Sequence, residues 1–473
     1  MSPRRGDAHA RRPSEPARRA TSPPAAARAV AARVLEGVEA EAAFAELALD
    51  AELARRTLPP RDIALATELI YGTLRWQRYL DWILAPHSRR RLASLDTRVR
   101  VLLRLTAYQL VFLARVPAFA AVNDAVTLAR GAPGVAEYVN AVLRSFARRG
   151  AAEREPAPPR DPVDALATRC SFPTWLAARW LARYGHAEAE ALMRALNERP
   201  PLAVRANTLQ ASREAVAERL RAEDGLDVRP AALAPEGLVV EGGGAPGRWR
   251  AFADGACVVQ DEASMLVARL LEPAPGDSIV DACAAPGTKT THLAQLMGNR
   301  GRILALDPQP ARLARVGEAA ARLGVTIVES VEGPVEALAP RWAGAGDGVL
   351  VDAPCTNLGV VRRNPEVKWR RQPGDVAAAA ERQRGILSAA AALVKPGGRL
   401  VYATCSLEPE ENDGVVRAFL DAHDAFVVDA PAGFPIAPDA AGFVRCLSHR
   451  HGTDGFTAIR LRRRLGVWGI RRA

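Results

Sequence analysis

Hydrophobic periodicity divides the chain into a helical first part and a mixed second part. Across residues 28–149 the apolar side chains recur at helical spacing; Val101, Leu105, Tyr108 and Phe112, for example, share one helix face. This pattern predicts an all-α domain over residues 28–149.

Two segments flank that domain and lack any periodicity. Residues 1–27 are rich in Arg, Ala, Pro and Ser, a composition that predicts a disordered basic tail because it cannot bury enough apolar surface. Such a tail could act as a nonspecific RNA-binding arm, although composition alone favours a tail without a role. Residues 150–162, GAAEREPAPPRDP, combine prolines with charges and predict an extended linker.

The following segment mixes helical and strand-like patterns. SFPTWLAARWLARYG places Pro173 in a first helical turn and Gly185 at a helix stop. Residues 205–260 alternate short strand-like runs with one helix at 213–221, and these patterns predict a small α+β module over residues 163–260. VVQDEASMLVARLL, residues 258–271, predicts a helix that leads into the next domain.

Strands alternate with helices in the rest of the chain. This alternation predicts a doubly wound α/β domain over residues 261–473. The predicted strands are 278–280, 302–306, 326–328, 348–351 and 399–402.

The charge balance changes the expected partner. The 473-residue chain carries a formal net charge of +11 and an isoelectric point of about 9.9, which favours a polyanionic partner such as nucleic acid. Its six cysteines contain no C-x-x-C pair, so we expect free thiols and no metal site. Neither a membrane-length apolar run nor a secretory signal is present, which predicts a cytoplasmic protein. Nothing resembles a coiled coil, which favours a monomer.

Candidate chemistry lies where two predicted strands end. Asp352 and Cys355 follow the strand at 348–351, and Cys405 follows the strand at 399–402. Ligands bind outside the carboxyl ends of such strands, so both thiols can face one bound molecule. Spacing alone does not tell which cysteine reacts. The other cysteine side chains are predicted to be packed: Cys170, Cys257, Cys283 and Cys446.

A second candidate site precedes these cysteines. SIVDACAAPGTKTTHLA predicts a strand, a tight loop and a helix, with Gly287 allowing close backbone approach to a ligand. The run is neither G-x-G-x-x-G nor a P-loop. Asp307 ends the next strand, where a carboxylate can accept hydrogen bonds from ribose hydroxyls.

The loop after Cys355 is strongly basic. RRNPEVKWRR places Arg362, Arg363 and Lys368 around the aromatic plane of Trp369, a combination that suits backbone phosphates and a stacked base. We therefore predict that these four residues contact RNA. Lys289 either contacts a cofactor or orders Asp352, and the sequence leaves both readings open.

Four phrases occur in one order: DACAAPGTKT, DAPC, RRNPEVKW and YATCS. Together they resemble the RNA cytosine-5 methyltransferases of the NOL/NOP/Sun family. RDIALATELIYGTLR and VNAVLRSF resemble the NusB-like RNA-binding helical domain. Tyr71, Arg75, Asn123 and Asn140 match the NusB-like pattern. They are predicted to be capping or core polar groups, with RNA contact as the alternative. With that domain in front, the architecture resembles the family's Sun-type bacterial ribosomal RNA methyltransferases over nearly everything after the tail.

The resemblance implies a Rossmann-like class I methyltransferase domain that uses S-adenosylmethionine. It implies methylation of carbon 5 of a cytosine in small-subunit (16S) ribosomal RNA, through a covalent adduct at carbon 6. Cys405 is then the nucleophile, Cys355 assists product release and Asp352 contacts the cytosine. The implied cofactor-binding residues are Cys283, Ala284, Ala285, Pro286, Gly287, Lys289, Asp307 and Asp352.

Two departures from the family pattern leave questions open. The usual DAPCSGTG is DAPCTNLG here, which makes the loop after Cys355 uncertain. The acidic residue expected after the third strand could be Glu329, Glu332 or neither.

Other functions remain as alternatives. The helical domain and the altered loop also fit a non-catalytic RNA-binding ribosome-assembly or antitermination factor, and the enzyme could act on transfer RNA instead. A DNA cytosine methyltransferase would not need the second cysteine, so the pair points to RNA.

Overall fold

The computed structural model describes residues 23–41, 43–149 and 155–465. Its first part is all-helical, as predicted, around a single core that buries Leu69 and Leu102. The helices are α1 (Pro23–Ala40), α2 (Ala45–Ala54), α3 (Pro60–Arg75), α4 (Gln77–Leu84), α5 (Thr97–Phe112), α6 (Ala118–Leu128) and α7 (Val135–Ala147).

The first helix begins earlier than predicted. α1 starts at Pro23, inside the segment assigned to the tail, because Ala27 and Val30 are fully buried against the helical core. The remainder of the predicted tail, residues 1–22, lies outside the described residues. So do residues 150–154 of the predicted linker.

A helical pair follows the linker, α8 (Pro162–Arg169) and α9 (Thr174–Leu196). Gly185 interrupts α9 with φ 75° and ψ 173°, which confirms the predicted stop, but helical structure resumes after it. The pair packs on loops of the last domain through a cluster that includes Trp180, Leu358 and Leu407.

The small α+β module contains an antiparallel sheet in the order β2-β3-β1-β4. Its elements are β1 (Leu202–Ala206), α10 (Arg213–Ala222), β2 (Asp227–Pro230), β3 (Gly237–Glu241), α11 (Arg250–Ala253) and β4 (Cys257–Val259). The helix predicted from residue 258 is wrong at its start. Val258 pairs with Arg205 in the sheet, and the helix begins only after Asp261, whose side chain accepts a hydrogen bond from the Ala263 amide.

The last domain is a sheet covered by helices, as the alternating pattern predicted. The strands are β5 (Ser278–Asp281), β6 (Arg302–Asp307), β7 (Val328–Glu332), β8 (Gly346–Asp352), β9 (Val394–Thr404), β10 (Phe426–Val428), β11 (Phe443–Cys446) and β12 (Phe456–Arg463). The helices are α12 (Glu262–Leu270), α13 (Thr288–Leu296), α14 (Pro310–Leu323), α15 (Val335–Leu338), α16 (Val367–Arg370), α17 (Pro373–Ala391), α18 (Asp413–Ala422) and α19 (Ser448–His451).

The strand order β10-β12-β9-β8-β5-β6-β7 brings the candidate residues to one edge. β7, β6, β5, β8 and β9 are parallel, whereas β12 is antiparallel to β9, β10 and β11. β7 lies later than predicted because Asn299 holds the Thr326 amide in the preceding loop at 3.0 Å. Within the described ranges, no helix is long and apolar enough to cross a membrane.

Candidate active site

The two cysteines that were predicted to face one bound molecule lie together at the carboxyl edge of the sheet. Asp352 at the end of β8 pairs with Ala403 near the end of β9, so the loops that follow both strands start side by side. The sulfurs of Cys355 and Cys405 lie 3.2 Å apart. The contact with Cys405, together with burial, raises the pKa of the Cys355 thiol well above its ordinary value.

Asn357 joins the two thiols. Its Oδ1 accepts hydrogen bonds from Cys355 Sγ at 3.3 Å and from Cys405 Sγ at 3.0 Å. Asn357 has φ 63°, a left-handed conformation that asparagine tolerates better than most residues. The altered sequence after Cys355 therefore still forms a tight turn, with an amide placed on both sulfurs.

Close backbone approach fixes the rest of this turn. The Gly359 amide donates to the Cys405 carbonyl at 2.9 Å. A Cβ at Gly359 would lie 2.2 Å from the Gly455 carbonyl oxygen and 2.8 Å from that of Cys405. Only glycine fits there, and its close contacts hold the turn after Cys355 against the backbone of Cys405.

Asp352 ends β8, three residues before Cys355, and is held by a lysine. Lys289 Nζ donates to Asp352 Oδ2 at 2.7 Å and also lies 4.9 Å from the centroid of the Phe456 ring. Lys289 is buried, whereas Asp352 is half-buried. This ion pair orders Asp352, which is one of the two roles that the sequence left open for Lys289.

The predicted cofactor loop runs from β5 to α13. Gly287 has φ 100° and precedes the first helical residue, and a Cβ there would lie 2.9 Å from Val316 Cα. The start of α13 therefore faces this loop with free backbone N–H groups. Cys283 is packed, and burial raises the pKa of its thiol.

Two carboxyl groups flank that loop. Asp307 at the end of β6 is buried, and its Oδ1 accepts from the Gln309 amide at 2.9 Å. Asp281 is buried at the end of β5, and its Oδ1 has no protein partner among the described residues. Burial raises the pKa of Asp281 to about 6. Glycine, free N–H groups and the Asp307 carboxylate suit the amino acid and ribose parts of a nucleoside cofactor such as S-adenosylmethionine.

The two acidic candidates on β7 lie at opposite ends of the strand. Glu332 pairs with Asp307 at the carboxyl end. Glu329 is ion-paired with Arg302 at 2.6 Å near the other end. Only Glu332 therefore lies on the cofactor side of the sheet.

The basic loop contacts protein through the side chains that were predicted to contact RNA. Arg362 and Lys368 are 4% and 1% exposed, too little to reach a phosphate. Arg362 binds Asp454 at 2.6 Å, and Lys368 Nζ donates to the Arg75 carbonyl at 2.9 Å and to Asn197 at 2.8 Å. Arg363 and Trp369 are half-buried.

The two half-buried side chains also have protein partners. Arg363 binds Asp454 and Asp261, and Trp369 Nε1 donates to the Leu74 carbonyl at 2.7 Å. The run RRNPEVKWRR does lie in the loop after Cys355, as predicted. The sequence could not show which groups its cations would bind.

Sequence reasoning missed two buried charged residues near the site. Arg205 of β1 donates to the Thr288 carbonyl at 2.7 Å and to Thr291 at 3.0 Å, and so braces the first turn of α13. Glu411, between β9 and α18, bonds residues of both cysteine loops. A glutamate in the run SLEPEEN reads as exposed, so no signal in this sequence singles out Glu411. The described residues contain no group of His, Cys, Asp and Glu suited to a metal ion.

Three family models match the chain. Residues 268–462 match the model described as 16S rRNA methyltransferase RsmB/F. Residues 25–148 match the NusB family, and residues 172–245 match the ferredoxin-like domain of RsmF/B-like methyltransferases.

Curated relatives match over most of their length. A probable ribosomal RNA small subunit methyltransferase B of Bacillus subtilis is 37% identical over 450 residues, which cover 92% of this chain and 98% of the relative. The ribosomal RNA small subunit methyltransferase B of Pseudomonas putida is 37% identical over 400 residues, covering 83% and 88%.

Two solved structures share the fold. The crystal structure of PH0851 superposes with a TM-score of 0.79 at 30% identity, over 93% of this chain and 99% of that one. The crystal structure of NSun6 from Pyrococcus horikoshii with SFG gives a TM-score of 0.56 at 27% identity, over 62% and 98%.

Proposed function

The chain belongs to the RsmB/F family of 16S rRNA methyltransferases, and we propose that it methylates carbon 5 of a cytosine in 16S ribosomal RNA through a covalent adduct on Cys405. The observation that carries this mechanism is the pair of thiols 3.2 Å apart beside the Lys289–Asp352 ion pair. RNA binding by a non-catalytic factor would not require two thiols in contact together with this ion pair.

The two-sulfur site fits the difficulty of the reaction. Carbon 5 of cytosine is a poor nucleophile, and addition of the Cys405 thiolate to carbon 6 activates it. Asp352, held in place by Lys289, would contact the N3 edge of the ring. A proton donated to N3 there neutralises the negative charge that develops when the thiolate adds. A paired base hides carbon 6, so the target cytosine must be unpaired or flipped out of its stack.

Cys355 is suited to the release of the product. Once carbon 5 carries the methyl group, a base such as solvent water takes its proton. The electron pair of that C–H bond re-forms the double bond between carbons 5 and 6, and the Cys405 sulfur leaves carbon 6 as a thiolate. The raised pKa keeps Cys355 a thiol at neutral pH, so it can donate a hydrogen bond to the departing Cys405 sulfur. We assign product release to Cys355 because the family resemblance implies that role and because its sulfur lies 3.2 Å from that of Cys405.

S-adenosylmethionine supplies the electrophilic methyl group when it is bound. The loop from Cys283 to Gly287, through Ala284, Ala285 and Pro286, would hold its amino acid part with Lys289 and Asp352 at the far side. Asp307 would accept hydrogen bonds from the ribose, and Glu332 would face the adenine.

The partners and the division of the chain follow from this reaction. Ribosomal RNA is the substrate, and the cytoplasm is where a bacterial chain would meet it. A monomer suffices, because one chain carries the cofactor loop and both cysteines. We retain the domain division at 163–260 and 261–473, and place the start of the helical domain at Pro23 instead of residue 28, because α1 begins there.

Methyl transfer is tested with tritium-labelled S-adenosylmethionine and 16S ribosomal RNA that lacks the modification. We predict incorporation that nuclease digestion recovers as 5-methylcytidine, and none with Cys405→Ala. Unmodified transfer RNA forms a parallel arm. Label in transfer RNA alone would assign the alternative substrate, and RNA binding without transfer by folded wild type would contradict the enzyme.

A further inference from the structure

Glu411 is a buried carboxylate with all its acceptor positions occupied. It is 0% exposed and lies in the turn Pro409–Glu411. Its Oε1 accepts from the Thr356 amide at 2.8 Å and from Gln383 Nε2 at 3.0 Å. Its Oε2 accepts from the hydroxyls of Thr356 and Ser406. Four donors saturate a carboxylate, and hydrogen bonds to a carboxylate are among the stronger ones in proteins.

The donors identify what the carboxylate connects. Thr356 directly follows Cys355, and Ser406 directly follows Cys405. One side chain therefore bonds the neighbour of each catalytic sulfur, although the two cysteines belong to loops 50 residues apart in sequence.

The turn that carries Glu411 is itself fixed to β9. Tyr402 donates its hydroxyl to the Glu411 carbonyl at 2.6 Å. Asn412 accepts from the Thr404 hydroxyl at 2.7 Å and donates to the Ser406 carbonyl at 3.1 Å. Because this support comes from the end of β9, just before Cys405, Glu411 holds the Cys355 loop in register with that strand.

We propose that Glu411 is the positioning residue that sets the separation of the two catalytic sulfurs. The inference rests on the proposed function, in which Cys405 attacks carbon 6 and Cys355 assists its release from the same ring. Both sulfurs must reach neighbouring parts of one base, so their relative position decides whether attack and release are both efficient. Glu411 touches neither the base nor the sulfurs.

The test isolates the first covalent step. In a Cys355→Ala background the protein–RNA adduct accumulates, and its rate of formation is measured with and without Glu411→Ala. We predict that Glu411→Ala slows adduct formation about 100-fold, the scale of a 1 Å misplacement. Glu411→Gln should restore most of the rate, because the hydroxyls of Thr356 and Ser406 can rotate to accept from its amide.

Two measurements separate positioning from a general loss of structure. The dissociation constant of S-adenosylmethionine should change less than about twofold, because the hydrogen bonds of Glu411 go to the cysteine loops and Gln383. Glu408→Ala is the matched control. Glu408 is a buried glutamate just before the same turn, but its carboxylate bonds Arg179 at 2.6 Å and Trp180 at 2.9 Å on α9.

The outcomes distinguish this inference from the proposed function. An adduct in Cys355→Ala that forms equally fast with Glu411→Ala, or that slows as much with Glu408→Ala, would overturn the positioning role and leave the function standing. If Cys355→Ala forms no adduct and wild type transfers no methyl group, the function fails and the inference with it. Should Glu411→Ala not fold, Ser406→Ala removes one of the bonds and is expected to slow the same step by a smaller factor.

Discussion

At the scale of single residues, the ionisation of buried Asp281 affects stability. Burial raises the pKa of Asp281 to about 6, whereas an aspartate in an unfolded chain titrates near about 4. Between these pH values the folded state holds a proton that the unfolded state has released, so stability falls as pH rises from about 4 to about 6.

Asp281→Asn removes this dependence because an amide does not titrate. We predict that its unfolding free energy relative to wild type increases by up to about 3 kcal/mol between pH 4 and pH 7. Urea unfolding at both pH values measures the change, with Asp421→Asn, exposed on α18, as the control. If the difference in unfolding free energy between Asp281→Asn and wild type is the same at both pH values, Asp281 does not have a raised pKa in the folded state.

The proposed catalytic residues could be identified from the sequence, whereas the residues that support them could not. Cys355, Cys405 and Asp352 follow predicted strands, and strand order alone brings such residues to one edge. Asn357 and Glu411 make side-chain hydrogen bonds to residues distant in the chain, Cys405 and Thr356 respectively. A single sequence contains no local pattern that reports such pairings.

At the scale of elements, the loop from Cys355 to α17 joins the domains. Arg362 is the centre of that contact, because its guanidinium binds buried Asp454 and its carbonyl accepts from Arg75 of α3 at 3.0 Å. Removing one partner of a buried ion pair costs about 3–5 kcal/mol. Arg363 still binds Asp454, so we predict that Arg362→Met lowers the unfolding free energy by about 3 kcal/mol.

The same variant tests whether Arg362 contacts RNA. A lost phosphate contact would lower the slope of log affinity against log salt by about 1, and we expect the wild-type slope instead. Arg382→Met, which removes an exposed cation from α17, is the charge-matched control and should alter stability by less than about 0.5 kcal/mol. A reduced salt slope with an unchanged free energy of unfolding would show that Arg362 contacts RNA.

Element types were easier to predict than their limits. The strands at 278–281 and 302–307 agree with the apolar runs, because buried parallel strands need continuous β-branched or aliphatic residues. β7 was misplaced because VESVE is polar, with both Glu329 and Glu332 exposed. It is a strand because it pairs with β6 at the edge of the sheet, and its own pattern does not indicate one.

For the whole molecule, the helical domain rests on the loop that carries Cys355. The Trp369 indole donates to the Leu74 carbonyl of α3, and Lys368 donates to that of Arg75. RNA held by the helical domain would therefore lie at a fixed place relative to the thiols. The order of the domains could be predicted from periodicity. Their docking could not, because it depends on contacts between residues about 290 positions apart.

The covalent mechanism is the central claim, and one gel tests it. Wild type, Cys405→Ala and Cys355→Ala are each incubated with S-adenosylmethionine and unmodified 16S ribosomal RNA, then separated under denaturing conditions. We predict a persistent protein–RNA adduct with Cys355→Ala alone, since attack by Cys405 still occurs while release is lost. An adduct with Cys405→Ala instead would reverse the two roles, and methylation that survives both substitutions would contradict the covalent mechanism.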